Sequence, residues 1–183
     1  MHLNTIDPAR AFLLVVDLQQ TYADKLFEWD RTIERASILI RAARELDLPV
    51  VFTEQYPKGL GPTTPRVLDA LGEAPRFEKR SLSCWGAAGL PAHVERLDRD
   101  HAIVCGIETH ACISQTTHDL LDRGYRVHLP EDALSSRKRH DHELGYQKML
   151  GSGAIPASVE SVVLEWLQTA EHPKFRSVQA LIK

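Results

Sequence analysis

Hydrophobic positions along the chain fall into short unbroken runs separated by longer stretches of helical spacing. The first run, Phe12-Leu13-Leu14-Val15-Val16, ends at Asp17. A run of this kind suits a strand buried on both faces of a parallel sheet. Asp30 is an N-cap by residue type, and Ile33, Ala36, Ile40 and Ala43 then recur at helical spacing, with Leu39 and Leu46 widening the stripe. Pro49 closes that helix, and Val50 to Thr53 reads as a second strand. The Gly/Pro-rich stretch 57–65 reads as loop. A short strand is expected at 76–79 and a buried one at 102–105, closed by Gly106. A helix follows over 109–123 with Gly124 at its end, then a fifth strand at 125–129. Helices over 140–150 and 158–167 flank a short strand at 154–155.

Alternating strands and helices predict an α/β fold, a mostly parallel sheet with helices on both faces. Ligands of such sheets sit beyond the carboxyl ends of the strands. Asp17, Glu54-Gln55 and Gly106–Cys112 fall at such ends, and Lys79 ends the weaker third strand. At 183 residues the chain is long enough for one full core, so a single domain over 1–183 is expected.

Charge and cysteine usage narrow the function classes. With 22 basic and 25 acidic residues the net charge is −3, which is no footprint for nucleic acid. The longest apolar run is far short of a bilayer span, so no membrane partner is expected. Residues 1–10 lack a basic region followed by an apolar stretch, so no secretory leader is expected. Cys84, Cys105 and Cys112 are odd in number and have no Cys-x-x-Cys spacing, which points to a reducing cytoplasm.

Cys112 falls in the first turn of the helix after Gly106. Unsatisfied N–H groups and the dipole at that end favour a thiolate, predicting a lowered pKa, and they can hold an oxyanion. The alternative, a small buried apolar residue, stays open on position alone. Cys105 lies inside the strand and reads as core, and Cys84 beside Trp85 reads as a loop residue. Asp17 is a turn cap or a site residue. Lys79 shares a strand face with Phe77, and near Asp17 and a thiol its charge would keep both acids ionised; a solvated surface lysine is the alternative, and Arg80 competes for the role. His110 and His118 lie two turns apart, too far to share one metal. The basic run Arg137-Lys138-Arg139-His140 reads as a solvated helix start, with anion binding the lesser reading.

Gly106-Ile107-Glu108-Thr109-His110-Ala111-Cys112, continuing Ile113-Ser114-Gln115-Thr116-Thr117-His118-Asp119-Leu120, resembles the nucleophile segment of the isochorismatase-like cysteine hydrolases. Val16-Asp17-Leu18-Gln19 resembles that family's first-strand Asp motif, and Glu78-Lys79 with Ser83 and Trp85 its Lys segment. Pro156-Ala157-Ser158-Val159-Glu160 resembles its last helix start. The resemblance covers roughly residues 10–168. It implies a three-layer Rossmann-like fold with a six-stranded, mostly parallel sheet, and a catalytic set of Asp17, Lys79 and Cys112. It also implies a cis peptide at Ile107–Glu108 and an oxyanion hole of the Glu108 and Cys112 N–H groups.

The nicotinamidase branch carries an Asp/His metal cluster after its second strand. Here Thr53-Glu54-Gln55-Tyr56-Pro57 has no His, so no metal and no cofactor are expected. Cys112 itself counts against vinyl-ether cleavage, which needs no thiol. Residues 54–63 look closest to the isochorismatase-domain branch of unassigned substrate. The implied activity is hydrolysis of a small amide through a thioester. Ester or carbamate hydrolysis on the same triad and a non-catalytic binding or redox-sensing protein are the alternatives. Tyr22, Phe27, Gln55, Tyr56 and Trp85 follow the site-bearing strands and are expected to line a pocket for a small-molecule substrate. Family likeness also implies a homo-oligomer.

Overall fold

The computed structural model describes residue 2 and residues 4–183. The leader reading of residues 1–10 touches positions 1 and 3, which lie outside the described residues. Seven strands form one sheet, every pairing between them parallel: β1 Ala11–Val16, β2 Val50–Gln55, β3 Arg76–Lys79, β4 His101–Ile107, β5 Arg126–Pro130, β6 Leu134–Ser135 and β7 Ile155–Ala157. Their order is β3-β2-β1-β4-β5-β7, and β6 pairs with the far end of β4. The six expected strands are thus joined by a seventh. Two residues, Leu134 and Ser135, are too short a run to stand out in an apolar pattern.

The apolar runs at β1 and β4 are continuous because both faces of the sheet are covered. Ala11, Leu13 and Val15 face one core with Ile103, Cys105 and Ile107, while Phe12, Leu14 and Val16 face the other with Ala102 and Val104. Helices α1 Trp29–Glu45, α3 Pro65–Leu71, α7 Val159–Leu167 and α8 Phe175–Ile182 close the first face; α2, Pro57–Leu60, is a single turn after β2. Helices α4 Leu90–Arg96, α5 Ser114–Asp122 and α6 Arg139–Gly151 close the second.

Several local expectations change. Helix α1 starts two residues early, capped by Glu28 in the left-handed region (φ 52°), and Asp30 sits in its first turn. A carboxylate there still favours the positive helix end. The stretch read as loop over 57–65 contains α2 and the start of α3, each with a proline at its first position. Proline is well suited there, because that N–H has no intrahelical partner. Gly106 lets β4 pass against β1: its φ is +121°, and a Cβ would lie 2.1 Å from the Val16 carbonyl oxygen. No helix among the described residues is long and apolar enough to cross a membrane.

Candidate active site

Strand register builds the site. Val16 pairs with Thr53 on one side and Gly106 on the other, and Gln55 pairs with Lys79. The residues that follow these positions therefore emerge together at one end of the sheet. Asp17 leaves β1 with φ 53°, a left-handed conformation that Asp tolerates, and its N–H still donates to the Thr53 carbonyl (3.1 Å).

Three residues far apart in sequence meet there. Lys79 Nζ is 2.6 Å from Asp17 Oδ2 and 3.3 Å from Cys112 Sγ. Around the same ammonium, which has three N–H groups to share, lie Gln55 Oε1 (2.6 Å), the Leu82 carbonyl (3.0 Å), the Ser81 carbonyl (3.3 Å) and the sulfur. Asp17 Oδ2 is paired with the ammonium group and meets no other nitrogen or oxygen donor. Its sister Oδ1 accepts from Thr53 Oγ1 at 2.7 Å. Asp17 is 2% exposed, Lys79 3% and Cys112 8%.

The turn carrying Cys112 is held from several sides. Residues Thr109–Ile113 form a wide helical turn before α5, with the Ala111 and Ile113 N–H groups on the Glu108 carbonyl (3.0 and 3.2 Å). Thr109 Oγ1 donates to the Ser135 carbonyl (3.0 Å) and lies 2.8 Å from His142 Nδ1, while His142 Nε2 lies 3.0 Å from Glu131 Oε1. Helix α6 comes so close that a Cβ on Gly145 would sit 2.7 Å from His110 Cα. The Ile107–Glu108 peptide is cis. The Glu108 carboxylate accepts from the Arg137 N–H (3.0 Å) and Nε (2.9 Å).

Burial sets the resting protonation. Desolvation raises the Asp17 carboxyl above the usual range, against the pull of Lys79 and Thr53. Desolvation alone would lower Lys79, but attraction to Asp17, Cys84 and Cys112 outweighs it and Lys79 ends raised. The Cys112 thiol is pushed up to about 11, by desolvation first and by the Asp17 charge second. The expected lowering by the helix terminus is therefore overturned, because an almost buried sulfur beside a carboxylate holds its proton. The resting site is a neutral thiol beside the 2.6 Å Asp17–Lys79 pair.

The five residues expected around a pocket divide. Gln55 touches Lys79 directly and donates from Nε2 to the Arg80 carbonyl (3.0 Å). The half-buried Tyr22 phenol is raised by burial and then by the charges of Glu108, Cys112 and Asp17 around it. Phe27 lies under Arg139, whose guanidinium carbon is 4.3 Å from the ring centre, and its N–H donates to the Ser136 carbonyl. Tyr56, in the left-handed region, carries Arg80 at 4.3 Å over its ring and lines an open hollow of about 340 Å³ with Lys58, Lys79 and Arg80. Trp85 departs from expectation. It packs edge-on against Tyr125 (5.8 Å) under Arg123, and Tyr125 in turn meets Phe12 near the amino ends of the strands. Chain proximity to Lys79 misled here, since the loop after β3 turns back along the sheet face.

Two neighbours of the triad were not anticipated. Thr53 reads in sequence only as a strand residue, and Cys84 only as a loop residue, yet Cys84 is fully buried with its sulfur 3.6 Å from Thr53 Oγ1. Among the described residues no group of three or more His, Cys, Asp or Glu side chains is placed to hold a metal ion.

Comparison with known proteins gives concordant likenesses. Residues 11–161 match the isochorismatase domain model. Isochorismatase domain-containing protein 2A from Mus musculus is 38% identical, the alignment covering 99% of this chain and 86% of that protein. The solved structure of MAR1 ribonuclease from Caenorhabditis elegans superposes with a TM-score of 0.91 at 38% identity, covering 97% of this chain and 92% of that one. The YcaC gene product of Escherichia coli, described as an octameric hydrolase of unknown specificity, shares the fold at a TM-score of 0.87 and 19% identity, covering 98% and 96%.

Proposed function

From a chain that belongs to the isochorismatase family by its domain match and its 38% identical relatives, we propose a metal-independent cysteine hydrolase that cleaves a small amide through a thioester. The reading rests on one observation: a thiol, a buried carboxylate and an ammonium group converge within 2.6–3.3 Å, drawn from three separate strand ends.

In this mechanism Asp17 Oδ2, buried and met only by Lys79 among nitrogen and oxygen donors, accepts the Cys112 proton. A carboxylate made more basic by burial is the better proton acceptor. The sulfur attacks the amide carbonyl carbon, and the Glu108 and Cys112 N–H groups receive the oxyanion. Collapse breaks the C–N bond, Asp17 returns the proton to the departing nitrogen, and a thioester remains on Cys112. Asp17 then takes a proton from water, hydroxide adds to the thioester, and the sulfur leaves to regain its proton. Lys79 favours the ionised form of Asp17 each time the carboxyl gives up its proton. Tyr22, Phe27, Gln55 and Tyr56 are the proposed surroundings of a small-molecule substrate. Esters and carbamates differ only in the leaving group and use the same steps. A non-catalytic redox role would oxidise Cys112 without acylating it. A homo-oligomer, with no membrane partner, completes the reading; light scattering coupled to size exclusion tests the assembly.

The likeness to MAR1 ribonuclease favours a second reading, cleavage of RNA. Electrostatics weighs against it. The net charge is −3, and two arginines beside the nucleophile turn are paired with carboxylates, Arg137 with Glu108 (2.9 Å) and Arg139 with Glu28 (3.6 Å). The test is a panel of small amides and esters run beside a structured RNA, with intact-mass detection of the protein. A Cys112 acyl adduct supports the proposal. RNA cleavage that survives in Cys112→Ala, without any adduct, overturns it.

A further inference from the structure

The Asp17 carboxylate is held by a neighbour that no sequence motif marks. Thr53 Oγ1 lies 2.7 Å from Asp17 Oδ1 and 3.6 Å from Cys84 Sγ. A hydroxyl has one proton to give, and an ionised carboxylate can only accept. The Thr53 proton therefore goes to Asp17. The remaining contact must run the other way, with the Cys84 thiol donating to the Thr53 oxygen. Burial pushes that thiol up to about 12, so it keeps its hydrogen throughout the working pH range. The Cys84 N–H is itself fixed on Thr116 Oγ1 at 2.9 Å, so the loop after β3 is tied to α5 where the chain of donors begins.

We propose that Thr53, oriented by the buried Cys84 thiol, is a positioning residue that sets the ionisation and direction of Asp17. The proposal deepens the thiol-hydrolase reading and rests on it for its catalytic meaning. With Oδ1 occupied by Thr53, Oδ2 faces only Lys79 and keeps a lone pair for the Cys112 proton, and the two carboxylate oxygens have distinct tasks. The titratable and charged groups facing Asp17 are Lys79 from β3, Cys112 from its turn, Cys84 from the loop after β3 and Tyr22 from the segment after β1. Of these only Lys79 is charged at neutral pH. Loss of the hydroxyl removes one of the groups that favour the carboxylate and moves Asp17 ionisation to higher pH.

The experiment reads Asp17 directly. Infrared titration follows the protonated-carboxyl band, assigned by its loss in Asp17→Asn, in wild type, Thr53→Val, Thr53→Ser, Cys84→Ala and Cys84→Ser. Thr53→Val is expected to move the midpoint up by about one pH unit, the size of one hydrogen bond to a charged group. Thr53→Ser restores it, Cys84→Ala moves it less in the same direction, and Cys84→Ser restores it. Acylation of Cys112 by 4-nitrophenyl acetate, followed across pH, is expected to show its acid limb moving with the band. A Thr53→Val midpoint that superimposes on wild type overturns the proposal even where Cys112 acylates normally. Absence of acylation together with the expected band shift overturns the hydrolase reading and leaves Thr53 control of Asp17 standing.

Discussion

The two ends of the sheet both bury titratable groups, and they bury them in opposite ways. At the carboxyl end Asp17, Lys79 and Cys112 combine opposite charges with a thiol, and one carboxylate oxygen meets the ammonium group alone. At the amino end His101 and His128 stack as two rings 5.5 Å apart and nearly parallel, with Arg126 Nη1 3.4 Å from His101 Nε2. Burial drives both imidazoles below their usual pKa, His128 to about 4, so that this end holds its groups neutral. Desolvation is common to both ends. What separates them is the partner: at the carboxyl end an opposite charge works against desolvation, and at the amino end Arg126 works with it at both imidazoles. Cys105 makes the same point within β4, since its thiol is raised by burial alone and no charged neighbour contributes.

The largest effect expected at the carboxyl end is on chemistry. Cys112→Ala is expected to lower hydrolysis of any amide or ester found as substrate by about 10⁴-fold or more, the scale seen when a nucleophile is removed. Thermal melting is expected to stay within a few degrees of wild type, because a small buried side chain replaces another. Wild-type turnover in Cys112→Ala would dissolve the contrast between the two ends.

Lys79→Met is next and acts on stability. Removing one partner of a buried ion pair leaves the other charge uncompensated, a loss of about 3–5 kcal/mol. Urea denaturation measures it. The double variant Asp17→Asn/Lys79→Met is expected to recover part of the loss, since no lone charge remains. Equal losses in the single and double variants would show that Lys79 stabilises by packing alone.

Much of the carboxyl end was legible before any coordinates. Asp17 and the Cys112 turn follow apolar runs, Lys79 ends the weaker third strand, the strand-end rule for parallel sheets gathers such positions, and the family resemblance singled out these three. Thr53 and Cys84 were not legible, because their importance comes from register across β1 and β2 and from the path of a loop. The amino end was almost silent. His101 and His128 start and interrupt apolar runs, but nothing in a one-dimensional pattern says that two strand residues 27 positions apart stack across β4 and β5. Helices α3 and α4 were missed for a related reason: each is seven residues long, too short for a helical period to declare itself, and each opens with proline or one residue before it.

The amino end answers to pH. Between about 6.5 and 4 the unfolded chain binds a proton at His128 that the folded chain refuses, so stability falls as pH is lowered through that window and is fully present above it. The two pKa values set a ceiling of about 3 kcal/mol for this one group. His128→Leu is expected to lose less stability than wild type between pH 7 and 4.5, read from paired denaturation curves. Parallel curves for the two proteins would mean that His128 is protonated in the fold and that the ends differ less than described.

Trp85 gives the finest test, because sequence assigned it to one end and its contacts assign it to the other. Its ring meets Tyr125 and carries Arg123, both at the amino side of β5, and Tyr125 connects onward to Phe12. Trp85→Phe keeps an aromatic edge on Tyr125 but shortens the surface beneath the guanidinium. The expected cost is about 1 kcal/mol of stability, the scale of one aromatic pair. At the other end, KM and kcat for a substrate and the rate of Cys112 acylation are expected to stay within about twofold of wild type, since 1.4 kcal/mol of coupling to the transition state would already appear as a tenfold change. Tyr22→Phe is the matched control, because the Tyr22 phenol is within electrostatic reach of Glu108, Cys112 and Asp17 and its loss is expected to change KM. A KM that moves with Trp85 and stays fixed with Tyr22 would return the indole to the substrate side and redraw the boundary between the two ends.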